Sequence, residues 1–87
     1  MLWILYNDND MKTKVQFLYH QRNDEVFAYF PEENFDKAGK YKSSYDHIGQ
    51  HGACDPKYAS ECAKATEEQA EPLRLELIEI GYKLEIV

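Results

Sequence analysis

The stretch KTKVQFLY, residues 12–19, decides the fold. Val15, Phe17 and Tyr19 fall on one side of a period-two alternation, and Lys14, Gln16 and Leu18 on the other, as in a half-buried β-strand. Gln21-Arg22-Asn23-Asp24 is polar and turn-prone, and Glu25 to Phe30 resumes a β-rich run. The two runs read together as a β-hairpin. Pro31 lacks a backbone donor and is expected to end the second strand.

Beyond the hairpin, Glu32 to Lys42 reads as a charged loop around Gly39 with Phe35 as its anchor. Tyr41 to Ile48 is a third extended segment, weakened by Ser43, Ser44 and Asp46, which are poor strand formers. Asp55-Pro56 suits a helix start, because Asp accepts from free N–H groups and Pro fits the first helical position. A short helix is expected from Pro56 to about Ala63. Thr66 and Gln69 match a capping box, opening a second helix that runs to Ile80. Ala70, Leu73, Leu77 and Ile80 share its apolar face, and Pro72 kinks its first turns or marks a restart. Gly81 closes the helix in a left-handed conformation, and Tyr82, Leu84 and Ile86 alternate in a final strand.

The expected class is therefore α+β. A mostly antiparallel, three- to four-stranded sheet carries two helices packed on one face, in the order β-β-(β)-α-α-β. Residues 11–87 form the single domain, and residues 1–10 are an optional N-terminal extension or an extra strand.

Composition narrows the function classes. The apolar share of 44% and the twelve aromatics argue for a folded chain rather than a disordered one. Net charge is −6 with no basic cluster, so direct nucleic-acid binding is disfavoured. From Glu61 to Val87 seven glutamates face only Lys64, Arg74 and Lys83. That is a solvated helix face, or else an acidic face for a basic partner or a mimic of nucleic-acid charge. The seven tyrosines either brace the edge of a small core or form an interaction surface. The opening MLWILY is too short for a signal-peptide core, and no run is long enough to span a membrane. A cytoplasmic location with reduced cysteines is the expectation.

The segment HIGQHGACDPKYASEC, residues 47–62, gathers two of the three histidines and both cysteines. His47, His51, Cys54 and Cys62 are ligand types that zinc accepts, but their spacing matches no standard zinc motif. A helix running past Cys62 would hold the cysteines about 12 Å apart, too far for one ion or a disulfide. No metal and no cofactor is expected. Cys54 before a helix start, with His51 as base, would suit a nucleophile. Gly49-Gln50-His51-Gly52 could instead offer backbone donors to an anion, without a Walker or dinucleotide fingerprint. The structural alternative is a strand-to-helix loop in which Ile48 plugs the core. The candidate binding residues are His47, Gln50, His51 and Cys54, and no catalytic residue is assigned.

Three stretches carry a resemblance: Phe27-Ala28-Tyr29-Phe30-Pro31, Tyr45-Asp46-His47-Ile48-Gly49-Gln50-His51 and Gly81-Tyr82-Lys83-Leu84. They resemble small uncharacterised bacterial proteins of the kind found on mobile elements. The resemblance covers most of the chain from Met11 on. It implies a bacterial cytosolic origin and a single domain, and transfers no catalytic residue.

The expected function is a non-enzymatic interaction or regulatory domain that uses a tyrosine-rich sheet and an acidic helix face. Its partner is an unidentified protein, or a second copy added as a homodimer at an exposed strand edge, Tyr82 to Val87 or the leader. The alternative is a small metal-binding protein or Cys/His enzyme built on His47, His51 and Cys54.

Overall fold

The computed structural model describes residues 12–23, 25–47 and 50–87. The extension at 1–10 and the positions Ile48 and Gly49 lie outside the described residues.

The alternating stretch is strand β1, Thr13–Tyr19, and it pairs antiparallel with β2, Val26–Asn34, in a register that sets Phe17 opposite Ala28. The hairpin is closed by His20 N–H donating to the Glu25 carbonyl, 2.8 Å, and by Glu25 N–H donating to Asn23 Oδ1. β3, Lys42–Asp46, pairs antiparallel with β2, and β4, Gln50–Cys54, pairs antiparallel with β3. β5, Leu84–Ile86, lies parallel to β1, giving the sheet order β4-β3-β2-β1-β5. The class is α+β and the sheet is mostly antiparallel, as expected. It has five strands rather than three to four, because the segment read as a strand-to-helix loop pairs as β4.

Pro31 does not end β2. The strand runs on to Asn34 through a register shift between Phe30 and Asn34, and such an irregularity tolerates a residue without a donor. Phe35 does not anchor the loop that follows, since it is 55% exposed. Asp36 does so instead, accepting from Tyr41 N–H through Oδ1, while Gly39 supplies a left-handed turn at φ 72°.

The two helices lie on opposite faces of the sheet, which corrects the expectation of one face. Helix α1, Pro56–Glu61, starts at Asp55, whose side chain accepts from Lys57 N–H. Helix α2, Glu67–Glu79, starts with the reciprocal capping box of Thr66 and Gln69. Ala70, Leu73 and Leu77 of α2 pack on Val15, Phe17, Ala28, Phe30 and Tyr45. On the other side, Ala59 of α1 packs with Leu18, Phe27, Tyr29 and Cys54. Successive β2 residues thus enter different clusters, as period-two geometry requires. Helix α2 ends one residue before Ile80, which caps it and is 52% exposed rather than buried. Gly81 follows at φ 114°, the left-handed closure expected.

Two segments share one edge of β1. Residues 83–87 run beside its first half, with Thr13 N–H donating to Lys83 O and Val87 N–H to Val15 O. The link between the helices runs beside its second half, with Tyr19 N–H donating to Ala63 O and Ala65 N–H to Phe17 O, both 2.9 Å. The bonds from Val87 to Val15 and from Ala65 to Phe17 flank Gln16 on this edge.

Candidate functional site

The four candidate residues are divided by the sheet. His51 and Cys54 lie three positions apart in β4, so their side chains leave on opposite faces. His51 Nε2 meets the Tyr82 hydroxyl at 3.1 Å, and its ring stands edge-on to Tyr45 at 4.7 Å, both on the α2 side. Cys54 belongs to the cluster beneath α1. His47 follows β3 and meets Glu76 of α2, with Nδ1 2.8 Å from Oε1, and its side chain is 68% exposed. Gln50 begins β4 opposite Asp46. His47 and His51 thus come to one neighbourhood around Tyr45, and Cys54 is not in it. Among the described residues no three His, Cys, Asp or Glu side chains converge as a metal site would require.

That neighbourhood is wired for structure. Glu76 accepts from the Tyr45 hydroxyl with one oxygen and meets His47 with the other. Burial, with a lesser effect of Glu33, holds the Tyr82 hydroxyl above its ordinary range. These bonds fasten α2 and the end of the chain to β3 and β4.

The chemistry of Cys54 runs against nucleophilic use. Burial, then the neighbouring Cys62, Asp55 and Asp46, push its thiol up to about 11. It is therefore a protonated thiol at neutral pH, and a nucleophile needs the thiolate. Iodoacetamide at neutral pH is expected to label half-buried Cys62 first and Cys54 only on unfolding. Equal labelling rates on peptide mapping would contradict this. Because the folded thiol titrates higher than the unfolded one, its contribution to stability is full below the ordinary value of 9.0. It is lost as pH rises towards 11.

The histidine outside the candidate segment makes a second polar chain. His20 follows β1, stacks on Phe27 with ring centroids 4.2 Å apart, and lies between Asp46 and Tyr58. Nε2 is 2.8 Å from Asp46 Oδ1 and Nδ1 is 3.0 Å from the Tyr58 hydroxyl. Gln21 N–H also donates to that hydroxyl at 3.2 Å. Neutral His20 satisfies every atom when Nε2–H donates to Asp46 and Nδ1 accepts from Tyr58. Carboxylate, imidazole and hydroxyl stand in the order of a nucleophile relay, but Nδ1 and the hydroxyl tie α1 to the end of β1, and Nε2 ties that end to β3. His20→Ala removes the stacked ring and both bonds. A loss of about 2 kcal/mol, or roughly 10 °C in Tm, is expected from thermal unfolding. No signal in the sequence marks this trio, since its members come from β1, β3 and α1.

A large concavity lies elsewhere. A groove of about 1080 Å³ opens between α2 and the shared edge of β1, over Phe17. Leu75, Ile86 and Val87 line it and are 50%, 57% and 42% exposed. Glu67, Glu68 and Lys64 stand along it. Arg74, which also lines it, is held by Glu71 through two bonds, Nε to Oε1 at 2.6 Å and Nη2 to Oε2 at 3.0 Å. Sequence reasoning missed this site, although the off-face apolar residue Leu75 of α2 was its visible signal.

No family model, no curated protein and no solved structure matches the chain.

Proposed function

We propose that this protein acts by binding another protein segment in the groove between α2 and the β1 edge, and not by catalysing a reaction. The observation that carries the reading is the convergence of three exposed apolar side chains, Leu75, Ile86 and Val87, on one large concavity. Isolated exposed apolar residues need no explanation, whereas a contiguous apolar concavity beside polar residues is what a docking surface requires.

The reading moves the working surface away from the tyrosines. Among the described residues no tyrosine is exposed: Tyr29 and Tyr45 are buried and the others half-buried. They brace the core and its polar margins. The acidic helix remains part of the surface, because Glu67, Glu68, Glu71 and Glu79 are exposed on α2. Among the described residues no helix is long and apolar enough to cross a membrane.

A peptide-display selection against the intact chain tests this. Enriched peptides are expected to lose binding to Ile86→Glu and Leu75→Glu proteins, and to keep it with Phe35→Ala, whose exposed ring is outside the groove. Circular dichroism confirms that each variant is folded. Enrichment that ignores both groove substitutions, or no enrichment at all, would contradict the reading.

A further inference from the structure

The groove has a chemical bias as well as a shape. Its floor and upper wall are apolar, from Phe17, Ala70, Leu75 and Ile86. Its charged margin is uneven. The two-fold hydrogen-bonded ion pair of Arg74 with Glu71 offsets one charge of each sign, and leaves Glu67, whose charge also reaches Arg74, and Glu68 against Lys64. Over its whole length α2 carries five glutamates and one arginine, and the chain carries −6. A second copy of this protein would set one acid-rich helix near another. An acidic partner would meet the same opposition.

We propose that the occupant is a basic amphipathic helix, with its apolar side on Phe17, Leu75 and Ile86 and its lysines or arginines facing Glu67 and Glu68. This rests on the groove reading above and adds the chemistry of the partner. A concavity of about 1080 Å³ exceeds what one side chain fills and suits several anchors spaced along one face of a helix. The apolar contacts would supply affinity. The carboxylates would supply orientation and a faster encounter, which screening by salt weakens.

The probe is a synthetic leucine–lysine amphipathic helix of roughly four turns. It is compared with a version whose lysines are glutamines and one whose lysines are glutamates, titrated by calorimetry against the full chain. The cationic peptide is expected to bind about tenfold or more tighter than the neutral one, and the acidic one to bind weakest. The double variant Glu67→Gln/Glu68→Gln should erase most of that preference, as should raising salt from about 0.1 M to about 0.5 M. Ile86→Glu should weaken binding of every peptide that binds.

Equal binding of cationic and neutral peptides, both abolished by Ile86→Glu, overturns the basic partner and leaves the groove standing. Binding that is indifferent to Ile86→Glu, or no binding by any peptide, overturns the groove with it. A chain that elutes as a dimer and becomes monomeric with Ile86→Glu shows a second copy in the groove, which also overturns the basic partner.

Discussion

Phe30→Ala is expected to destabilise the protein by about 3–5 kcal/mol. Phe30 is fully buried in the larger cluster and stacks on Tyr82, with ring centroids 5.3 Å apart and planes 11° from parallel. Truncation removes the ring from the seam between sheet and α2 and unseats Tyr82, whose hydroxyl holds His51. The rigid β2 backbone cannot follow the loss, so a cavity remains. A domain of this length has a total stability of only about 4–13 kcal/mol. The loss is therefore a large fraction of the total, from about a quarter to all of it. Urea unfolding measures the effect, with Phe35→Ala as reference. That exposed ring should change stability by no more than about 0.5 kcal/mol. A loss below about 1 kcal/mol for Phe30→Ala would mean that the face under α2 is not the principal core.

Pro72→Ala is expected to do the opposite, stabilising the protein by about 2 kcal/mol. The first helical bond of α2 runs from Ala70 N–H to Thr66 O, so residue 72 should donate to Glu68 and cannot. Its ring also crowds that carbonyl. An interior proline costs about 3 kcal/mol, offset in part by the smaller entropy of the unfolded chain, about 0.4–1 kcal/mol. The helix nevertheless runs through Pro72 without a break, so it does not restart there. Pro72 lines the groove, where its ring adds apolar surface. A residue that lowers stability at a docking surface is a known compromise between folding and function. Pro72→Ala should thus raise Tm while lowering the affinity of a selected peptide. A variant no more stable than the parent would contradict the helical account of this segment.

Local chemistry made much of the fold legible. The alternation of β1, the Asp55-Pro56 start, the Thr66–Gln69 capping box and Gly81 all act within a few residues, so each could be read without its surroundings. β4 could not. Gln50–Cys54 contains a glycine and no clear apolar alternation, and it becomes a strand because β3 lies beside it. The placement of the helices was half-visible. Phe27 to Phe30 is an unbroken apolar run, and Leu18 sits among the polar positions of β1, which together mark a sheet covered on both faces. The candidate residues were divided for a related reason. Closeness in sequence gathered His51 with Cys54, and the pleat of one strand then separated them, while His20, Asp46 and Tyr58 met across three elements.

The most direct test of the groove as the working surface is an amide chemical-shift map of the full chain with a selected peptide. The account predicts the largest changes at Phe17, Ala65, Leu75, Ile86 and Val87, with His47, His51 and His20 little affected. Changes centred on the histidines, or spread evenly over the sheet, would contradict it.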